Sequence, residues 1–186
     1  MRIIAGRFKG VRLVSPRHKG VRPTADRVRE ALFSTLGQAV IGSRILDLFA
    51  GTGALGFEAL SRGAQFAAFS DDDRQAVELL RRNAELLGIA EQVKILSLNA
   101  LTALKKLAER HEKFGIVFVD PPYGSDWIGK VTFDPNLPTV IEPAGLLVIE
   151  TDSGNAPQAP PQFQKVFSRK YGGTLVEIFH FGPAST

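Results

Sequence analysis

The sequence predicts an α/β fold, with a mainly parallel sheet covered by helices on both faces. Short, nearly continuous apolar runs alternate with segments whose apolar residues recur at helical spacing. Each helical segment is followed within a few residues by the next apolar run, as in consecutive βαβ units. The alternation ends in two extended segments, Phe163–Tyr171 and Thr174–Phe181, which flank the two-residue hairpin signal Gly172-Gly173.

The first 40 residues form an extension that we expect to pack on a single domain made by the whole chain, residues 1–186. Arg2 to Ser15 is predicted as a small hairpin and Pro16 to Pro23 as a basic loop. Pro23-Thr24 then opens a helix, with Thr24 or Asp26 as its N-cap. The helix should end at one of the glycines at positions 37 and 42.

The middle of the chain alternates regularly between strands and helices. The predicted strands are 44–49, 66–70, 93–98, 114–119 and 146–150, and the predicted helices are 54–62, 74–87 and 101–112. Residues 151–161, rich in Pro, Ser and Gly, are predicted as a loop before the final hairpin. Five parallel strands followed by an antiparallel hairpin are the layout of the Rossmann-like, seven-stranded class I methyltransferase fold.

Composition narrows the class of protein. The chain of 186 residues is of a size for one domain, and no apolar run approaches the ~20 residues of a membrane span. It contains no cysteine, and its three histidines are far apart, so we expect no metal site. The absence of an apolar N-terminal core makes a cytoplasmic location the default expectation.

The net charge of +4 is unevenly distributed. Residues 1–30 contain nine basic and two acidic side chains, whereas the rest of the chain is slightly acidic. A basic arm on an acidic body favours a polyanionic partner at one end of the molecule, although a merely solvated charged face remains the alternative.

A glycine-rich turn joins the first predicted strand to its helix. Gly51, Gly53 and Gly56 match G-x-G-x-x-G, a pattern that allows a ligand close approach to the backbone at a helix N-terminus. Asp71 follows the next strand, where its carboxylate could bind ribose hydroxyls. Asp47, at the end of the first strand, would repel a pyrophosphate but suits the ammonium of S-adenosylmethionine. The pattern therefore favours S-adenosylmethionine over a dinucleotide, and a nicotinamide-dependent oxidoreductase remains the alternative.

Further candidate cofactor residues follow the second and third strands. Asp72 adjoins Asp71 without a defined role, and Asp73 is predicted to cap the next helix. A divalent metal on this acidic triplet is an alternative, although consecutive side chains point in different directions. Asn99 could bind the adenine amine, cap the helix after it, or do both. The full candidate set for the cofactor is Asp47, Phe49, Ala50, Gly51, Thr52, Gly53, Asp71, Asp72, Asn99 and Ala100.

The tetrapeptide Asp120-Pro121-Pro122-Tyr123 follows the fourth strand and should enter the same crevice. The Asp120 carboxylate and the Pro121 carbonyl could accept hydrogen bonds from an exocyclic amine and orient its lone pair toward a methyl donor. Prolines fix the shape of this corner, and Tyr123 could stack on a flat base. The four residues, Asp120, Pro121, Pro122 and Tyr123, are therefore the candidate catalytic residues.

With these motifs in place, the chain resembles the RsmD family of bacterial 16S rRNA guanine-N2 methyltransferases. The resemblance rests on Arg2–Gly6, Arg22–Phe33, Leu46–Ala64 and Asp120–Tyr123, of which the Arg-Pro-Thr helix opening is the discriminating part. Asp71 stands where the family usually has Glu, and Asn99 where it often has Asp. The resemblance implies methyl transfer from S-adenosylmethionine to N2 of a guanine in 16S rRNA, within an assembling small ribosomal subunit, by a monomer.

The resemblance also gives the basic arm a role. Candidate RNA-binding residues are Arg7, Lys9, Arg12, Arg22, Thr24 and Arg27, of which the last three could fold over the crevice. The segment Gly124 to Lys130, with Trp127, is either a mobile lid or a surface loop with its tryptophan packed on the sheet. Two other functions remain open, namely an adenine-N6 methyltransferase acting on DNA or RNA and a non-catalytic RNA-binding assembly factor.

Overall fold

The computed structural model describes residues 1–15, 23–154 and 156–182. Within these ranges the helices are α1 (Pro23–Leu36), α2 (Ala54–Ser61), α3 (Arg74–Leu86), α4 (Ala100–Glu109), α5 (Trp127–Thr132) and α6 (Leu137–Val140). The strands are β1 (Arg44–Asp47), β2 (Phe66–Asp71), β3 (Val93–Ser97), β4 (Phe114–Val119), β5 (Ile141–Asp152), β6 (Phe163–Tyr171) and β7 (Thr174–Phe181). The described helices include none that is long and apolar enough to cross a membrane.

The seven strands form one sheet in the order β3-β2-β1-β4-β5-β7-β6. The first five strands in the chain are parallel to one another, and β7 runs antiparallel between β5 and β6. This arrangement confirms the predicted α/β class and the predicted methyltransferase layout. The bounds of β4, β6 and β7 agree with the prediction, because their apolar or alternating patterns end at clear turn residues.

Each face of the sheet is covered by its own helices. On one face, Val28 of α1 and Leu60 of α2 pack in the same buried cluster as Phe118 of β4. On the other face, Leu104 of α4 packs in a cluster that includes Val117, the neighbour of Phe118 in the strand. Successive strand residues point to opposite faces, so nearly continuous apolar strands are what a doubly covered sheet requires.

The N-terminal segment forms a short version of the predicted hairpin. Arg2 and Arg12 form an antiparallel bridge, and on either side of it the Ile3 amide donates to the Val11 carbonyl and the Leu13 amide to the Met1 carbonyl, both at 3.0 Å. The backbone also bonds to α2: the amides of Ile4 and Ala5 donate to the Glu58 carboxylate at 2.8 and 3.0 Å. These contacts with α2, which the sequence did not predict, add to the short strand pairing.

The structure corrects three expectations. The helix α1 begins at Pro23, so Asp26 lies in its first turn and is not the N-cap. The strand β5 starts at Ile141 and ends at Asp152, extending past both predicted ends. Trp127 opens the helix α5 and packs edge-on against Phe49, with ring centroids 5.7 Å apart. The predicted loop at 124–130 is therefore partly helical.

Candidate active site

Four acidic side chains line the edge of the sheet at which its parallel strands have their C-terminal ends. Asp71 and Asp47 are the last residues of β2 and β1, Asp120 directly follows β4, and Glu150 lies two residues before the end of β5. These four strands are consecutive in the sheet. Side chains two positions apart in a strand point to the same face of the sheet. The residue two positions before each of these acids packs in the buried apolar cluster under α1, α2 and α3, so all four acids face that side of the sheet. We call these four residues the carboxyl row.

Asp47 is the most buried member of the carboxyl row, with 1% of its surface exposed. Its Oδ2 accepts a hydrogen bond from the Gly56 amide at 3.3 Å, whereas its Oδ1 is buried without a partner among the described residues. Burial raises the pKa of Asp47 from 3.8 to about 7; the Gly56 amide opposes this rise, and the charge of Asp71 adds to it. A buried, unpartnered acceptor suits a cationic donor from a ligand.

The glycine turn beside Asp47 needs glycine for two separate reasons. Gly51 and Gly53 have φ of 53° and 80°, in the left-handed region. A Cβ at Gly53 would also lie 2.3 Å from the Phe57 ring, and one at Gly56 would lie 2.2 Å from the Phe69 ring. The amide of Gly51 donates to Asp71 at 2.8 Å. The turn is thereby tied to the acid at the end of the neighbouring strand.

The residues after β2 and β3 are caps as well as candidate ligands. Asp73 accepts from the Gln75 amide at 2.9 Å, which confirms it as the N-cap of α3. Asn99 accepts from the Thr102 amide at 3.0 Å and is the N-cap of α4. Asp71 also accepts from the amide of Asp73, while Asp72 is exposed. A carboxylate offers about four acceptor positions, so Asp71 retains room for ligand hydroxyls.

The corner after β4 combines a partly buried acid with a half-exposed ring. Burial, reinforced by the charges of Glu150 and Asp47, raises the pKa of Asp120 well above its ordinary value. Pro121 is buried, whereas Pro122 is exposed and its carbonyl accepts from both the amide and the hydroxyl of Ser125. Tyr123 is 51% exposed.

Sequence reasoning missed two site residues, Glu150 and Arg29. Burial raises the pKa of Glu150, whereas a hydrogen bond from Tyr123 and the charge of Arg29 lower it. Arg29 is 5% exposed and donates to the Arg2 carbonyl at 2.8 Å and to Asp26 at 2.9 Å. An acid at the end of a predicted strand was an available signal for Glu150. No local pattern distinguishes Arg29 from a surface residue of a helix.

Among the candidate RNA-binding residues, Arg7 has contacts that place it on the fold. Arg7 donates to Gln92, which directly precedes β3, and its amide donates to the Ser61 carbonyl at the end of α2. Arg7 therefore lies at the amino edge of the sheet, opposite the carboxyl row. A cleft of about 410 Å³ at this amino edge is lined by Arg7 and Arg62, among others. The structure does not bring this cleft near Asp120.

The other members of that set are only partly described. Lys9, Arg12 and Arg27 are exposed. Arg22 and the side chain of Thr24 lie outside the described residues. Nothing in the structure therefore brings the predicted set together as one surface.

No group of three or more acidic, histidine or cysteine side chains within the described ranges is arranged to hold a metal ion. The acidic triplet has other contacts: Asp71 binds the glycine turn and Asp73 caps α3.

A sheet of this order, with a glycine turn after its first strand and an acid at the end of its second, defines a class I S-adenosylmethionine-dependent methyltransferase.

Comparison with known proteins identifies the family. The model of the family described as conserved hypothetical protein 95 matches residues 1–180. The ribosomal RNA small subunit methyltransferase D of Escherichia coli strain K12 is 42% identical over 123 residues, which are 66% of this chain and 60% of that protein. The aligned stretch therefore spans less than two thirds of that relative. The Bacillus subtilis protein YlbH, provisionally described as an rRNA methyltransferase, is 33% identical across 96% of this chain and 98% of its own length.

Solved structures agree with the family match. The protein yhhF of Escherichia coli, provisionally described as a methyltransferase, superposes with a TM-score of 0.85 at 31% identity, covering 98% of both chains. A similar protein from Haemophilus influenzae gives a TM-score of 0.81 at 28% identity, again with 98% of both chains covered. The chain belongs to the RsmD family of methyltransferases.

Proposed function

We propose that this protein transfers the methyl group of S-adenosylmethionine to the exocyclic N2 of a guanine in 16S rRNA of the small ribosomal subunit. The observation that carries the proposal is the carboxyl row, which lies beside the glycine turn and contains the buried, unpartnered Oδ1 of Asp47. The relatives named for small-subunit rRNA methylation support the choice of substrate.

The charge of the crevice supports the choice of cofactor. S-Adenosylmethionine carries an ammonium and a sulfonium, and both are favoured near carboxylates. The pyrophosphate of a nicotinamide dinucleotide would instead face Asp47 and Asp120, and burial would strengthen the repulsion. This reasoning argues against the oxidoreductase alternative.

Each part of the cofactor would meet a different strand end. Asp47 would accept from the methionyl ammonium, and Asp71 from the ribose hydroxyls. Asn99 can bind the adenine amine through a second lone pair while it caps α4. The complete proposed set is Asp47, Phe49, Ala50, Gly51, Thr52, Gly53, Asp71, Asp72, Asn99 and Ala100.

The target base would bind at the corner after β4. When bound, S-adenosylmethionine supplies an already activated methyl group, so the protein needs mainly to position the nucleophile. The Asp120 carboxylate and the Pro121 carbonyl would accept the two hydrogens of the amine and direct its lone pair. The methylated amine must lose a proton, and a carboxylate whose pKa is raised, as at Asp120, is a suitable acceptor.

The base would have to leave its RNA stack to reach this corner. Unstacking costs a few kcal/mol, and stacking on Tyr123 would return ~1–3 kcal/mol. The phosphates must stay away from the carboxyl row, so basic side chains outside it would hold them. We propose Arg7, Lys9, Arg12, Arg22 and Arg27 for that role, together with the hydroxyl of Thr24 as a neutral hydrogen-bond donor to RNA. We also propose that the protein acts as a monomer in the cytoplasm on an assembling subunit.

A deletion strain tests the proposed substrate. Mass spectrometry of nucleosides from 16S rRNA should show less N2-methylguanosine, restored by the wild-type gene and not by Asp120→Ala. Normal N2-methylguanosine with a loss of N6-methyladenosine would support the adenine-N6 alternative. Restoration by Asp120→Ala of whatever defect the strain shows would support the non-catalytic assembly factor.

A further inference from the structure

The hydroxyl group of Tyr123 is bonded from two adjacent strands. Its oxygen lies 2.9 Å from the Thr174 hydroxyl, at the start of β7. The same hydroxyl is hydrogen-bonded to the Glu150 carboxyl on β5. Residues 150 and 174 are brought to this edge by the register of the two strands, in which Glu150 pairs with Val176 and Asp152 with Thr174.

Hydrogen-bond chemistry fixes the direction of both bonds when Glu150 is ionised. A carboxylate only accepts, so the single O–H of Tyr123 is donated to Glu150. The Thr174 hydroxyl must then be the donor to the tyrosine oxygen. Burial raises the pKa of Glu150, whereas the hydrogen bond from Tyr123 and the positive charge of Arg29 oppose this rise and favour the ionised form in which the arrangement holds.

The backbone around Tyr123 offers no comparable restraint. Residues 120–126 form neither helix nor strand, and Gly124 next to it has a φ of 75°. The ring is 51% exposed, so packing holds it only in part. The two hydroxyl bonds therefore contribute to setting where the ring lies.

We propose that Glu150 and Thr174 are positioning residues that hold the Tyr123 ring in its base-stacking position before RNA binds. This inference rests on the proposed function, in which Tyr123 stacks on the target guanine. A ring fixed in advance does not have to be ordered at the moment of binding, a cost of about twofold to tenfold in affinity for one side chain. Neither Glu150 nor Thr174 needs to touch the base for this effect.

Nuclear magnetic resonance of ring-labelled tyrosine tests the proposal without any substrate. The chain contains two tyrosines, so Tyr171 serves as an internal control. Glu150→Ala and Thr174→Val should each lower the order parameter of the Tyr123 ring and leave that of Tyr171 unchanged. An unchanged Tyr123 order parameter in both variants would overturn the proposal, whether or not the protein methylates RNA.

Steady-state kinetics then test the consequence for binding. Glu150→Ala and Thr174→Val should each raise KM for RNA about threefold to tenfold, with the Kd for S-adenosylmethionine unchanged. Glu150→Gln keeps an acceptor oxygen and should restore most of the loss. In a Tyr123→Phe background, which retains the ring but lacks the hydroxyl, neither substitution should have a further effect.

The same double-mutant cycle would also reveal a different role for Glu150. A rise in KM from Glu150→Ala that persists in the Tyr123→Phe background would mean that Glu150 acts on the base directly, and would overturn the inference; the charge of Glu150 also acts on the pKa of Asp120, and its removal is expected to change kcat instead. If the wild-type protein forms no N2-methylguanosine, the proposed function fails, while the ring measurement still decides the role of the two anchors.

Discussion

At the scale of single residues, burial raises the pKa of three carboxyl groups of the site, those of Asp47, Asp120 and Glu150. Asp47 has a pKa of about 7 instead of 3.8, so the folded protein holds a proton that the unfolded chain has released at intermediate pH. Stability attributable to this group is present below pH 4 and is lost as the pH rises through 7. A cationic ligand favours the ionised form, so its affinity should change with pH in the opposite direction.

The variant Asp47→Asn tests the predicted pH dependence of both stability and ligand affinity. In the wild-type protein, calorimetric affinity for S-adenosylmethionine should increase between pH 6 and 8, as Asp47 ionises. The variant should bind about 10- to 100-fold more weakly at pH 8, because a hydrogen bond to a charged group is removed. Its free form should lose less stability from pH 5 to 8 than the wild type does. Wild-type affinity and pH dependence in the variant would contradict the role given to Asp47.

At the scale of elements, the buried Glu58 on α2 fastens the N-terminal segment to the body. Its carboxylate accepts from the amides of Ile4 and Ala5 and from Arg62 at 2.7 Å, and Arg29 lies 3.8 Å away. Glu58 is fully buried, so these partners replace the water that it loses. Glu58 thus links residues 4 and 5 to α2 and, through Arg29, links α1 to α2.

Glu58→Ala should destabilise the protein by about 3–5 kcal/mol, because it removes a carboxylate that balances the charge of the buried Arg29 and leaves two partly buried amides without their acceptor. Urea denaturation measures the change. Glu78→Ala is a matched control, since Glu78 also pairs with an arginine four residues later, but both side chains are at least 50% exposed. The control should cost at most about 1 kcal/mol. Equal losses in the two variants would rule out Glu58 as the fastening point.

The elements that were predicted correctly are those whose bounds are marked by the residue pattern of one short stretch of sequence. The hairpin at 163–181 and the strand β4 have the predicted bounds, and the glycine turn has the backbone that its motif requires. The hairpin in residues 1–15 was predicted, but its hydrogen bonds to α2 were not, because their acceptors lie 53 or 54 residues away in the chain. Glu150 escaped notice for the same reason, since its contact with Tyr123 depends on how β5 lies beside the corner after β4.

At the scale of the whole molecule, the basic side chains are concentrated at one end of the sequence. The carboxyl row occupies one edge of the sheet, while the first 30 residues contain nine of the 23 basic side chains. A phosphate backbone would be repelled by the first region and attracted by the second. Because Arg7 lies at the amino edge, an RNA that reached both Arg7 and the crevice would have to span the height of the sheet.

The salt dependence of RNA binding tests the basic arm. Replacing Arg7, Lys9 and Arg12 together by Gln should weaken binding and reduce the slope of log K against log salt by roughly 0.7–0.9 for each phosphate that is no longer neutralised. Filter binding or fluorescence anisotropy at several salt concentrations gives the slope. An unchanged slope would mean that these three residues do not bind RNA phosphates.

The central claim is most directly tested by the product of the purified protein. Incubation with S-adenosylmethionine and small-subunit rRNA from a deletion strain, followed by mass spectrometry of the nucleosides, should give N2-methylguanosine in equal amount to S-adenosylhomocysteine. The Asp120→Ala variant should form neither product while still binding S-adenosylmethionine in a calorimetric titration. N6-methyladenosine as the product, or full activity in that variant, would contradict the account.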